Sequence, residues 1–479
     1  VGEGGQNFDI FSCAVQPPAV TFARSVNLQI DPNTQTHNTP CSMKGSLVLF
    51  IALLALVAHS CKDNAPTTPT PEPQRLLTLT TADSSLHEIW LRLSLPDSLS
   101  GRSVKIYRND TLRFAFDLVR RDTVLMDSGL ALGTRYTYRA VRLDKARTLD
   151  STQVSTATMP TTSHAVVWRI DTLGTTATWL NDVCVVNDTC IWVVGQIHAP
   201  PQDSLGYWTT YNAARFDGER WHFYSFQFPL YNGDGTVAGY YNGECRAVFG
   251  LSPTSVFFSD GGGIMVWNGV QARYLFQSLA VSKIWASSEN DIYVVGGNGF
   301  IAHYNGSVWR RVESGTTTVI QDVWGSIDKA TGDTLVLATV STGDSQGERK
   351  ILQIKRGIPA QPFNWVSGVE IKSIYFRNHR RFFAAGAGVW TKNAWQAWQG
   401  VPSNVVLPTF KRCIRGTSEN NVFVVGDFSS IVRFDGTQWH IMSNVPNTLY
   451  KRVSTSASTI ACIGDRGVRG YVVIFKMEP

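Results

Sequence analysis

From about residue 76 to the C-terminus, apolar and polar positions alternate in short bursts, and most bursts stop at Gly, Asn, Asp or Pro. A period of two between turn residues predicts β-strands rather than helices. Seven such runs fall within 75–159: LLTLTTA, HEIWLRLSL, SVKIYRN, FAFDLVRR, DTVLMDSG, YTYRAVRL and STQVSTAT. About 85 residues with seven half-buried strands suit a small β-sandwich. Beyond residue 164 the pattern changes, and uncharged strands such as IYVVG and VFVVG appear. Strands without a polar side are expected to be buried on both faces.

These strands belong to a degenerate repeat. KIWASSENDIYVVGGNGFIAHYNGSVW (283–309) and KRCIRGTSENNVFVVGDFSSIVRFDGTQW (411–439) share one skeleton. It is a strand, a polar turn, a strand ending in Gly, a glycine-rich turn, a strand ending in Asn-Gly or Asp-Gly, then Trp. Copies are expected at 182–221, 246–276, 283–312, 321–365, 371–395 and 411–442, and a seventh runs from Lys451 to 471–476 without a closing Trp strand. The segment 164–173, HAVVWRIDTL, is a Trp strand with no repeat in front of it. Trp168 would stand where Trp221, Trp309 and Trp439 stand, completing the seventh copy. Closing a ring in this way leaves no open sheet edge. Asp217-Gly218, Asn268-Gly269, Asn305-Gly306 and Asp435-Gly436 are tight hairpin turns. The expected fold class is therefore all-β: a seven-bladed β-propeller over 164–479, preceded by a small β-sandwich over 75–159.

Two local patterns carry resemblances. Leu130-Ala131-Leu132-Gly133-Thr134-Arg135-Tyr136 resembles the tyrosine-corner motif of fibronectin type III domains, which implies that the Tyr136 hydroxyl ties a corner and that Trp90 is the core tryptophan. Asp217-Gly218-Glu219-Arg220-Trp221 and Asp435-Gly436-Thr437-Gln438-Trp439 resemble the end of the Asp-box (BNR-like) hairpins of bacterial propellers. The leading serine of that box is missing, so no sialidase site residue is carried over.

Ahead of these domains, Met43-Lys44 is followed by an apolar run to Ala58 and then Ser60-Cys61. A positive end, a short apolar core and small residues before the cleavage point make a secretory signal. The run is too short for an ordinary membrane span. The segment 43–61 resembles a bacterial lipoprotein signal, which implies that Cys61 becomes the lipidated first residue. Translation is expected to start at Met43, leaving 1–42 as a non-native upstream segment. KDNAPTTPTPEPQ (62–74) reads as an extended tether. The expected location is the bacterial cell envelope, at the outer membrane or cell surface, lipid-anchored.

Composition narrows the function. The net charge of +6 is small for 479 residues, and the basic residues form only dispersed pairs, so no nucleic-acid partner is expected. Cys184 and Cys190 flank a hairpin and are either a cross-strand disulfide or two core-facing thiols. No nucleotide loop, zincin helix or nucleophile elbow is present. Arg246, Arg412, Arg415 and Arg452 recur in the repeat, the second and fourth each after a lysine. They are read as solvated channel residues, with an axial anion site as the alternative. Glu289, Asp291 and Glu419 are read as turn residues, and His222 and His440 as too dispersed for a metal set. No cofactor or metal is expected, and an enzyme is not the favoured reading.

The departures from the repeat point to one face. QIHAPPQDSLGYWTTY and FPLYNGDGTVAGYYNGE in copy one, and TVSTGDSQGERK in copy four, all open on the same side of a ring. Tyr207, Trp208, Tyr211, Tyr231, Tyr240 and Tyr241 are the candidate ligand-binding residues. The expected function is a surface-anchored binding module that recognises a glycan or a surface protein. The alternatives are a glycan-active hydrolase or lyase, and a structural subunit of an envelope assembly.

Overall fold

The computed structural model describes residues 77–477 apart from 96–102, 119, 146, 176, 200–208, 278–279, 344–346, 407–408 and 443–446. The expectations for 1–76, including Cys61, and for Tyr207 and Trp208 lie outside the described residues. Among the described residues no helix is long and apolar enough to cross a membrane. Almost every element is a strand.

The first seven strands form two antiparallel sheets. Thr78–Ser84, Glu88–Ser94 and Asp122–Ser128 make one; Thr111–Asp117, Ser103–Arg108, Arg135–Asp144 and Arg147–Ala157 make the other, in that order. Leu79, Ile89, Leu91 and Leu93 of the first share a core with Val104, Ile106, Tyr138 and Ala140 of the second. The Tyr136 hydroxyl accepts the Ala131 N–H at 3.0 Å, tying the corner as the motif implied. Trp90 corrects the expectation of a core tryptophan. Ile89 and Leu91 both point inward, so the residue between them must face out. Its ring instead lies 4.0 Å from the Arg380 guanidinium, on the far side of the strand.

Seven four-stranded antiparallel sheets follow among the described residues. Their first strands are Trp179–Asn187, Ala247–Ser252, Val281–Ser288, Ile320–Ile327, Ile371–Tyr375, Lys411–Ser418 and Leu449–Ser456. Each packs against the next, and the last packs against the first, so the seven first strands line an axis. This arrangement is propeller-like. In the seventh sheet the outermost strand is Val166–Leu173, paired antiparallel to Arg469–Met477 with Trp168 opposite Phe475. The two rings lie 4.2 Å apart.

The glycine that ends the second strand of the repeat has a spatial cause. A Cβ on Gly296 would sit 1.5 Å from the Ala280 carbonyl oxygen; on Gly386 or Gly426 it would sit 2.1 Å from Glu370 or Phe410 oxygen. The same place in sheets one and seven, Gly195 and Gly464, is similarly tight. The backbone of the preceding connection passes here because the first strand carries a bulge. Ser282, Gln321, Lys372, Arg412 and Lys451 are each skipped by the pairing register, as is Asn181 in sheet one. A bulge re-aims one side chain, and these six are turned toward the axis.

The closing tryptophan of sheet five is Trp398, not Trp395. Trp398 is buried and its Nε1 donates to Asn364 oxygen at 2.7 Å, whereas Trp395 is exposed in a turn one residue longer than those before Trp221, Trp309 and Trp439. The five described cysteines are unbonded. Cys184 pairs with Trp192 and Cys190 with Asn187, so the two thiols do not face each other. Burial pushes the Cys184 thiol up to about 12.

The two-sheet domain is fixed to the ring at one end of the axis. Asp83 accepts from Arg377 at 2.8 Å and Arg380 at 2.7 Å, Arg380 also reaches Asp328, and Arg92 donates to Ala330 oxygen. Leu86 is buried among Tyr375, Val422 and Phe434. The polar contacts use the turns that follow the first strands of sheets four and five, and Leu86 meets strand ends of sheets five and six beside them, so the opposite end, where the first strands begin, is left clear of this domain.

Candidate functional site

A cavity of about 490 Å³ opens at that clear end. One residue from each sheet lines it: Asn181, Arg246, Ser282, Gln321, Lys372, Arg412 and Lys451, joined by Glu244 and Arg452. Six of the seven are the bulge residues; Arg246 immediately precedes its strand and is held by its N–H on Ser259 oxygen. The wall thus offers five cations and one carboxylate. Most of the cations have acids behind them. Lys372 reaches Glu370 at 3.1 Å, Arg412 bonds Asp427, Lys451 bonds Asp465, and Arg452 lies 4.0 Å from Asp182. Among the described residues Arg246 has no acidic partner. Glu244 accepts from Asn181 at 2.7 Å.

Below this ring, residues further along the first strands close the axis. Asp182 takes Lys283 Nζ at 2.5 Å, and Asp322 takes both terminal nitrogens of Arg415 at 2.6 and 2.9 Å, with Ser373 Oγ at 2.6 Å. These pairs join sheet one to three and sheet four to six, so they cross the axis rather than line it. All four charged groups are buried. Burial alone would raise the Asp322 carboxyl, but the Arg415 guanidinium outweighs it and holds the group below its usual range. Arg415 is therefore a plug residue, which corrects its reading as a solvated channel group. Glu419 lies in the turn between Lys411–Ser418 and Asn421–Gly426, as read from the sequence, but it is buried there against Asn378, and that burial pushes its carboxyl up.

The copy-one hairpin, Phe228–Tyr231 with Val237–Tyr241, leads directly into Glu244 and Arg246. Its base is tied down by Asn242 on Thr210 oxygen and Asn212 on Gly243 oxygen. Tyr240 is 67% exposed. Tyr241 donates its hydroxyl to Asp260, and burial together with that bond pushes its pKa up to about 12. A phenol held in its protonated form is the reverse of an activated nucleophile. Tyr231 leans on Tyr274, with ring centroids 6.0 Å apart. Tyr211 corrects its assignment as a loop aromatic: it is 9% exposed in the core between sheets one and seven, 5.3 Å from the Phe223 ring. Of the described candidates, Tyr240 and Tyr241 remain exposed, on the hairpin that leads into Glu244 and Arg246.

One further exposed aromatic residue is not singled out by the repeat pattern. Phe428 sits in the turn after the second strand of sheet six, next to Asp427, the partner of Arg412. It is 81% exposed, and both it and Ser429 have positive φ, 55° and 59°. In sheet three the same turn uses Asn298 and Gly299, which tolerate that conformation. An exposed phenyl ring on strained backbone is a feature that packing does not demand.

No family model matches the chain, and no curated protein does. Solved structures that resemble it include YCF48 bound to D1 peptide, at 14% identity over 65% of this chain and 97% of that one, TM-score 0.48. YCF48 from Cyanidioschyzon merolae has 15% identity over 65% and 98%, TM-score 0.45, and the WD40 β-propeller domain of Doa1 has 11% over 65% and 97%, TM-score 0.46. The fold is β-propeller-like. The sheets and axis described above carry that statement on their own.

Proposed function

We propose that this chain is a surface-anchored binding module: a fibronectin type III-like sandwich carrying a seven-bladed β-propeller whose axial cavity receives an acidic group of a glycan or a partner protein. The observation that carries the reading is the lining of the cavity, five cations against one carboxylate, with Arg246 unpaired among the described residues. The fixed two-sheet domain supports the same choice of face, since it occupies the other end of the axis. Tyr240, on the hairpin that leads into Arg246, and Phe428, next to the Asp427 that pairs with Arg412, supply exposed aromatic surface. A glycan-active hydrolase has less support. Its two flanking carboxylates are not met by Glu244 alone, and Tyr241 keeps its proton.

The test is binding of the full chain to arrays of carboxylated and neutral glycans and to acidic peptides. Arg246→Gln should weaken the ligand so found about 10- to 100-fold, the value of one charge-assisted hydrogen bond, and added salt should weaken it further. Equal affinity in the variant, or equal binding of neutral ligands, would refute the reading. The anchor is proposed at Cys61. In a bacterial host Cys61→Ala should abolish lipid labelling and membrane partition; equal labelling of both forms removes the anchor from the proposal.

A further inference from the structure

Two repeats place a histidine five residues after the turn aspartate, and both use it in the same way. Asp217 Oδ1 accepts the N–H groups of Glu219 and Arg220, and Oδ2 meets His222 Nε2 at 2.6 Å. Asp435 Oδ1 accepts from Thr437 and Gln438 in the same manner, and Oδ2 meets His440 Nε2 at 3.1 Å. The second copy has an addition. His164, from the segment that leads out of the two-sheet domain, brings its own Nε2 to 3.0 Å from the same Oδ2. The three ligand atoms all lie within 4.8 Å of one another.

His164 is placed there by a framework of its own. The fully buried Arg433 donates to Ser163 oxygen and, at 2.7 Å, to Thr162 Oγ1. The Thr162 N–H donates to Asp435 oxygen at 3.1 Å, and Asn420 Nδ2 donates to Pro160 oxygen at 2.7 Å. Backbone and side chain thus hold residues 160–164 against the turn that presents Asp435. With Oδ1 engaged by the turn, Oδ2 is the atom left to converge with two imidazoles.

We propose that His164, Asp435 and His440 form a binding site for a borderline divalent cation such as Zn2+, with three protein ligands and a fourth position open to water or an incoming group. Two imidazoles and one carboxylate are the donor set such an ion prefers. Ligand atoms on a tetrahedral zinc stand roughly 3.3 Å apart, so the two contacts to Oδ2 need to lengthen by only a few tenths of an ångström. Each Nε2 would give its lone pair to the metal while Nδ1 carries the proton. The site lies at the outer turn of sheet six, away from the axial cavity, and would clamp the segment joining the two domains onto the ring. The copy-one pair, Asp217 and His222, has no third ligand and serves as the internal control.

The experiment is calorimetric titration of ZnCl2 into the full, untagged chain after chelator dialysis, with melting curves in parallel. One zinc per chain should bind and raise the melting temperature. His164→Gln and His440→Gln should each lower affinity by more than roughly 100-fold, since loss even of an outer-shell partner costs 10- to 100-fold. His222→Gln should leave it unchanged. Co2+ should give visible absorption in the wild type that His164→Gln lacks. His164 is about half exposed, so that variant should melt with the wild type in chelator. No zinc binding by the wild type, or equal affinity in His164→Gln and His440→Gln, overturns the site.

Discussion

Deleting 166–173 should give a chain that melts far lower and self-associates. That strand is the outer partner of Arg469–Met477 along eight register positions, from Val166 opposite Met477 to Leu173 opposite Gly470. Without it, the backbone donors and acceptors along one side of that strand lose their partners, which makes an open edge for another molecule to pair with. Trp168 also leaves the Phe475 ring. A buried tryptophan is worth roughly 3–5 kcal/mol, and half-buried Trp168 supplies the lower end before the lost ladder is counted. Calorimetry and light scattering of the two full-length forms decide the matter. An unchanged midpoint with an unchanged state of association would mean that the strand does not close the ring.

Asp322→Ala should destabilise by about 3–5 kcal/mol, the usual cost of stranding one partner of a buried pair. Arg415 would stay buried across the axis with Ser373, two carbonyls and the Trp324 ring as its remaining contacts. Replacing both residues, Asp322→Leu with Arg415→Met, should recover much of that loss, because no unpaired charge remains. The pair also predicts an acid limb. Asp322 has a lower pKa in the folded chain than in the unfolded one, so its contribution is complete above the unfolded value of roughly 3.9 and is lost as pH falls through the folded value. The double variant should lack that component when melting temperatures at neutral pH and near pH 3 are compared. A single variant that melts with the wild type would show that the pair does not hold the axis closed.

Repetition makes the ring legible in the sequence. Strands without charge, Asn-Gly and Asp-Gly turns and the spare Trp strand at 164–173 each imposed a local constraint with one geometric solution. Details that depend on a one-residue shift were not legible. Arg412 and Arg452 each follow a lysine, but the bulge falls on Arg412 in sheet six and on Lys451 in sheet seven, so they are not equivalent. Lys411 is consequently no channel cation: it is fully buried on Thr409 and Ser430, and burial pushes its ammonium down to about 8. Trp90 and Tyr211 failed for a related reason, since alternation fixes that neighbours diverge but not which of them faces the core. Trp395 was displaced by one extra turn residue. The approach of His164 to His440 depends on ring closure and on the Arg433 framework, neither of which a local window contains. A readable trace of the cavity did exist: the repeat glycine marks the bulge, and the bulge marks the residue turned to the axis.

The spare strand also sets a timetable. Val166–Leu173 leaves the ribosome about 300 residues ahead of the strand it must pair with, a wait of roughly 15 to 60 s at ordinary elongation rates. Throughout that interval the growing chain can complete six sheets but not the seventh, so two edges remain open to strangers. If the chain crosses a membrane before folding, the whole of this vulnerable period falls on the far side, where holding factors that mask strand edges would govern the yield.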